Sequence, residues 1–257
     1  MARPLLVVGD VQGDVERLEE ALDGYPEEDV DTVFLGDFFQ GGLAGRGGGA
    51  AAARLARGRR NSRSVLGNHD LFLLAVLERR RGVQPPEPWR ARSPADLEEL
   101  WLHRRGDWAD LTAVEEDAGL EAWLRGLPFM ILLDDGTLVQ HTDDDMYANL
   151  GDSVDAVNAT AHAWLATPGG VFTAVRTLFG RRAFVERRRL DLYLEHFGAR
   201  RVVHGHTPHW EDVPTVDHDG RLWGFDGRFS RYWPREEGEL TGPIGATIAL
   251  LPRLGSG

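Results

Sequence analysis

The stretch RSVLGNHDLFLLAV, Arg63–Val76, decides how the rest of the chain is read. A strand-like run, Arg63–Leu66, stops at Gly67-Asn68-His69-Asp70, and apolar residues resume at Leu71. A plain turn needs Gly with Asn or Asp; it has no use for the His. Two earlier segments share the design, PLLVVGD ending at Asp10 and DTVFLGD ending at Asp37. Short apolar, β-branched runs of this kind suit buried strands. After the first comes DVERLEEALDGY, with Val15, Leu18, Ala21 and Leu22 on one helical face, and Leu71–Arg81 reads as a helix closed by Gly82. The order strand, helix, strand, Gly-rich loop and helix, strand, helix predicts an α/β sheet. In such sheets the loops beyond the strand C-termini hold ligands, so the three polar tips are expected on one edge.

Composition narrows the classes of function. The chain has 257 residues, 42% of them apolar, enough for one large domain with a full core. We expect a single domain over 1–257. The net charge of -12 argues against a general nucleic-acid binder or an anionic-membrane binder. All 29 basic residues are Arg, and the absence of Cys removes disulfides and thiol chemistry. The apolar run Leu5–Val8 is too short for a signal peptide or a membrane span, and no other stretch approaches the length of a span. A soluble, cytoplasmic protein is expected.

Residues 83–127 differ from their surroundings. A Pro-rich start gives way to helical stretches around 94–105 and 117–126 carrying Trp101, Trp108 and Trp123, residues expected to serve packing. We read a helical insertion lying over the site edge. Asp135-Gly136 signals a hairpin. Helices are expected at about 152–166 and 185–197, then a strand at ARRVVHGH, and antiparallel strands in VPTVDHDGRLWGFDG and IGATIALLP. The low-complexity GGLAGRGGGAAAARLARGRR reads as a flexible loop running into an Ala-rich helix.

The strand tips gather chemistry: Asp10, Asp37, Asn68 and His69, then His141 in LVQH and His206 in VVHGHTP. Carboxylate, amide and imidazole groups on one sheet edge suit a divalent metal site. Two adjacent ions need a bridging carboxylate, and Asp37, expected on a central strand, is the natural bridge.

This ordered set, GD, GD, GNHD, H and GHT, resembles the calcineurin-like metallophosphoesterase superfamily over about residues 5–80 and 128–232. VLGNHDLFLLAV is similar to bacterial symmetrical diadenosine tetraphosphatases. GARRVVHGHTP and DGRLWGFDGRFS are similar to bacterial relatives of phosphoprotein phosphatases. The resemblance implies a two-sheet β-sandwich flanked by helices and hydrolysis of a phosphate ester by a metal-bound hydroxide. It implies one ion held by Asp10, position 12 and Asp37, and another held by Asp37, Asn68, His141 and His206. Mn2+ is the expected metal, with Mg2+, Fe or Zn2+ as alternatives. His69 matches the proton donor to the leaving oxygen, with Asp70 following it as a second catalytic candidate. Asn68 would thus offer an amide oxygen to metal while the next residue aims an imidazole at the ester. The expected partner is a phosphorylated substrate, a phosphoprotein or a small phosphoester. The expected reaction is a phosphomonoesterase of the protein serine/threonine type. The alternatives are a dinucleoside tetraphosphate hydrolase and a degenerate metal-binding scaffold that recognises a phosphorylated partner.

Three departures bear on this. Position 12 is Gln12 where the family usually has His. The Asp-Arg-Gly that follows the second GD in phosphoprotein phosphatases is Gln40-Gly41-Gly42 here, so the phosphate-gripping Arg is missing. Arg46, Arg181 and Arg182 are the candidates to replace it. Thr142-Asp143-Asp144-Asp145 follows His141 where the family is small and glycine-rich, either discouraging polyanions or capping the next helix. His204 does not match a family ligand, and His209 is unassigned.

Overall fold

The computed structural model describes residues 3–85, 94–177, 180–233 and 240–254. The N-terminal part runs β1 (Leu5–Val8), α1 (Val15–Asp23), β2 (Asp31–Phe34), α2 (Gly48–Gly58), β3 (Ser62–Ser64) and α3 (Asn68–Arg80). Helices α4 (Pro94–His103), α5 (Trp108–Glu115) and α6 (Ala118–Gly126) follow, then the hairpin β4 (Met130–Leu132) and β5 (Thr137–Gln140). Next come α7 (Val154–Ala166), α8 (Gly170–Thr177), α9 (Arg187–Phe197) and β6 (Arg201–His204). The end is built from β7 (Thr215–Asp217), β8 (Leu222–Gly224), the one-turn α10 (Ile244–Thr247) and β9 (Ile248–Leu251).

Two mixed sheets form, ordered β3-β2-β1-β9 and β4-β5-β6-β8-β7. β1, β2 and β3 are parallel, while β9 closes the first sheet antiparallel to β1. Burial on both faces explains why β1 reads Leu-Leu-Val-Val without alternation. Leu5 and Val7 join Val33, Leu35, Val139, Val203 and Phe225 in a core between the sheets. Leu6 and Val8 join Phe34, Leu18 and Leu22 beneath the helices. The fold is the expected α/β sandwich of two sheets flanked by helices.

Several boundaries differ from the sequence reading. The ladder of β3 lies one residue early, at Ser62–Ser64, although Val65 still donates to the Phe34 carbonyl at 3.0 Å. Asn68-His69-Asp70 is the first turn of α3 rather than the tip of a strand. Helix α5 was not foreseen within 83–127, and α8 was hidden by the Thr-Pro-Gly-Gly that precedes it.

Helices α4–α6 pack on α2 and α3, and among the described residues none of theirs lines the site pocket. Instead they brace the loop after β2. Gln40 Nε2 donates to the Arg104 carbonyl at 3.1 Å, and Gly41 N to the Arg105 carbonyl at 2.8 Å. Trp101 is fully buried against Phe72, Trp123 packs on Phe38, and Trp108 stays exposed. The Gly-rich loop is pinned rather than free. The Asp107 carboxylate accepts from the backbone N–H of Gly45, Arg46 and Gly47 at 2.7–3.0 Å. The buried face of α2 is Ala50, Ala52, Ala53 and Ala56, small enough for close packing.

Candidate active site

The loops leaving β1, β2, β3, β5, β6 and β8 meet at one end of the sandwich. They meet backbone to backbone, which accounts for the glycines before Asp10, Asp37, Asn68 and His206. A Cβ on Gly36 would stand 2.4 Å from Gly67 N, and one on Gly67 would stand 2.2 Å from Asp37 Oδ1. One on Gly205 would stand 2.1 Å from Asp10 Oδ1, and one on Gly9 2.0 Å from the Phe225 carbonyl oxygen. Gly67→Ala is therefore expected to destabilise the protein by roughly 1–3 kcal/mol, the usual penalty of overpacking, and to displace Asp37. A thermal melt together with metal analysis checks this; an unchanged melt and metal content would mean that the loops give way easily.

The contact of Gly67 with Asp37 puts the N-terminus of α3 over that carboxylate. His69 N donates to Asp37 Oδ1 at 2.9 Å, and the helix N-terminus favours negative charge there. Asp70 is fully buried and turned away from the pocket. Its carboxylate accepts from Gly67 N, Asp37 N and Phe38 N at 2.9, 3.0 and 2.9 Å. It clamps the β2 loop to the helix, so the expectation of a catalytic Asp70 gives way to a positioning one. Burial and the charge of Asp37 push the Asp70 carboxyl up to about 7.

Asp37, His141 and His206 bring one ligand atom each within 4.8 Å of one another, all buried. Asn68 Oδ1 lies 2.8 Å from His141 Nε2 and 2.7 Å from His206 Nδ1. His141 Nδ1 must donate to the Leu35 carbonyl at 2.7 Å, because that oxygen can only accept. In the neutral ring, Nε2 then carries a lone pair. It faces an amide oxygen and, at 3.3 Å, Asp37 Oδ2, neither of which can donate. The lone pairs of His141 Nε2, Asn68 Oδ1 and Asp37 Oδ2 meet with no proton from His141 between them, which is what a cation satisfies, and this donor set fits a divalent metal. Protonation is the other remedy. Burial lowers His141, but the Asp37 carboxylate outweighs it and raises the imidazole to about 9. Burial, and then the same imidazole, pushes His206 down to about 2.

Asp10 lies beside this set, 1% exposed, accepting from His206 N at 3.0 Å. Burial, then the charges of Asp226 and Asp37, push it well above the usual carboxylate range. Asp226 itself is pushed up to about 6 by burial and by Asp37. Three buried carboxylates crowding one pocket are stable as anions only with positive charge among them. Gln12, Asp37 and His206 all hold left-handed backbone, at φ of 48°, 54° and 62°, a strain the interlocked loops sustain.

A model of the calcineurin-like phosphoesterases matches residues 3–210 of this sequence. The chain belongs to the calcineurin-like phosphoesterase family. It is a metal-dependent phosphoesterase in consequence. Its fold is similar to that of a cold-active protein-tyrosine phosphatase from a psychrophilic Shewanella species, 18% identical, with a TM-score of 0.61 over 98% of this chain and 81% of that one. It is also similar to a protein serine/threonine phosphatase from Saccharomyces cerevisiae, 15% identical, with a TM-score of 0.52 over 86% of this chain and 66% of that one. No curated protein matches the sequence.

A pocket of about 190 Å³ opens over the phosphoesterase site, lined by Asp10, Gln12, Asp37, His69, His206 and Arg181 together with Pro208, Trp210, Asp226, Arg228 and Trp233. Of the three arginines singled out from sequence, Arg181 reaches it, donating to His206 Nε2 at 3.0 Å. Arg182 lines a neighbouring cavity with His204 and His209, and exposed Arg46 lines neither. The acidic run stays out of the pocket. Asp144 Oδ1 caps Met146 N at 2.7 Å, Asp145 pairs with Arg189, and Asp143 accepts from Thr207. Sequence reasoning missed Asp226 and Arg228. Leu-Trp-Gly-Phe-Asp226-Gly repeats the design of an apolar run ending beside Gly and a polar residue, and that signal was there to be read. Among the described residues no helix is long and apolar enough to cross a membrane.

Proposed function

We propose that this phosphoesterase hydrolyses phosphate monoesters, with two divalent ions, Mn2+ foremost, held by Asp10, Gln12, Asp37, Asn68, His141 and His206. The observation that carries this reading is the convergence of Asp37, His141, His206 and Asn68 on one point, with Asp10 and His69 beside it. The ions would supply charge for the phosphoryl oxygens and acidify an attacking water. The rest falls to the chain. Asp37 is the carboxylate shared between the two sets, held by the α3 N-terminus and the Asp70 clamp. Arg181 and Arg228, both at the pocket, take the place of the missing Arg at Gly41 in binding phosphate. His69 sits in the first turn of α3, with Nδ1 3.8 Å from Asp37 Oδ2, and protonates the departing oxygen. Burial lowers its pKa, and the negative charge of a bound phosphate raises it again.

The small pocket favours a monoester over a dinucleoside tetraphosphate, whose bulk exceeds it. We further propose that residues 1–257 act as one domain with 83–127 as an insertion, in the cytoplasm, on a phosphoprotein or a small phosphoester. The test is p-nitrophenyl phosphate turnover by the full chain loaded with Mn2+, abolished by a chelator and restored by added metal. Turnover indifferent to both treatments sinks the metal reading, and no turnover under any divalent ion leaves a phosphate-binding scaffold in its place. Gln12→His is expected to tighten the weaker ion, since imidazole binds Mn2+ better than an amide oxygen does. The Mn2+ concentration that gives half-maximal turnover should fall; no shift means that Gln12 does not face an ion.

A further inference from the structure

The position where phosphoprotein phosphatases are expected to carry their phosphate-gripping Arg is Gly41, and its space is taken. A Cβ on Gly41, whose φ is +107°, would stand 2.6 Å from Trp233 Cε3. The missing side chain is therefore what admits the indole. Trp233 stacks on His69, ring centroids 5.6 Å apart and planes 20° from parallel, and it lines the pocket. The residues just before it are fastened to the loops beneath. Ser230 Oγ donates to the Gly41 carbonyl at 3.0 Å and accepts from Tyr232 N at 3.2 Å. The Arg231 backbone and guanidinium both donate to buried Asp14, at 2.8 and 2.6 Å.

We infer that the pocket selects phosphate monoesters whose ester oxygen sits directly on an aromatic ring, with Trp233 as the wall against which that ring lies. The inference rests on the phosphoesterase reading above and names its substrate class. The reasoning is positional. His69 marks where the departing oxygen stands, and the Trp233 indole is the pocket surface that stacks on His69. A ring one bond from that oxygen meets the indole, whereas a nucleobase lies a whole sugar further out. A pocket of about 190 Å³ holds a phosphoryl group with one ring, below the usual span for larger ligands. The side chain of tyrosine phosphate is such a group, and so is a small phenolic phosphate.

The test compares two non-hydrolysable phosphonates of matched size on the metal-loaded full chain, by titration calorimetry. Benzylphosphonate presents a flat ring, and cyclohexylmethylphosphonate presents a puckered one. The wild type is expected to bind the flat ring roughly three- to tenfold tighter, the worth of one aromatic pair beyond its buried area. Trp233→Leu should bring the two affinities together by weakening the flat ring alone, and Trp233→Phe should keep the preference. Because the readout is a ratio within one protein, a partly unfolded variant does not distort it. A wild-type ratio near one overturns the inference. So does an equal loss of both ligands in Trp233→Leu, which would make Trp233 a prop for His69 only. If neither phosphonate binds and p-nitrophenyl phosphate is not turned over, the hydrolase reading fails and takes this one with it. Binding of both without preference fails this one alone.

Discussion

Asp37→Asn is expected to strip the protein of divalent metal and of turnover while leaving it folded. The substitution is nearly isosteric, so the amide oxygen can still accept from His69 N, and Asp70 still holds the Asp37 and Phe38 backbone. What disappears is the charge facing His141 Nε2 at 3.3 Å. Two electrostatic changes then oppose each other in the metal-free protein. The attraction between Asp37 and His141 is lost, and the repulsion that Asp37 exerts on Asp10 and Asp226 is relieved. The melting temperature after chelation should accordingly stay near that of the wild type. Metal affinity should fall beyond the ~10–100-fold that loss of even an outer partner costs. Metal analysis after Mn2+ loading, set beside a melting curve, checks both halves. Wild type holding no more than one ion per chain would end the binuclear reading, and full metal content in the variant would remove Asp37 from the centre.

His69→Ala separates proton donation from metal binding. Asn68 Oδ1 points to His141 and His206, whereas the His69 side chain points to the pocket and stacks on Trp233. The variant should keep its metal and lose ~10²–10⁴-fold in turnover, the usual worth of a positioned acid. The loss must depend on the leaving group. An alkyl phosphate, whose alkoxide needs the proton, should suffer most. p-Nitrophenyl phosphate, which departs as a stabilised phenoxide, should suffer least. Equal losses on the two substrates would assign His69 to phosphate binding or to the shape of the turn.

Much of this centre could be read from the chain because its residues sit at fixed offsets from apolar runs. Asp10, Asp37, Asn68, His141 and His206 each follow a strand within a few residues, so sequence order translated into a place on one edge. What stayed hidden depended on contacts remote in sequence. Asp70 looks like a companion to His69, but its carboxylate is occupied by the backbone 33 residues away. The Gly-rich loop looks free until Asp107, some 60 residues on, takes three of its N–H groups. Trp233 carries no local signal at all, and its seat over Gly41 is visible only once the loops are assembled. Helix α8 was missed because Gly169-Gly170 masks its start, and Arg46 was overrated because nearness in sequence to Gly41 does not bring its side chain to the pocket.

The interlocked glycines have a consequence for how such a centre tolerates change over generations of random substitution. A residue proposed to hold metal is judged by its donor atom, and donor atoms have substitutes; an amide group already stands at position 12. Gly9, Gly36, Gly67 and Gly205 are judged by volume against main-chain or carboxylate atoms closer than 2.5 Å, and no other residue is smaller. In a library covering every substitution, these four positions should accept fewer replacements than Gln12 does. The framework would then outlast its own chemistry: a lineage could exchange its metal, or its reaction, and still carry the spaces where the loops pass.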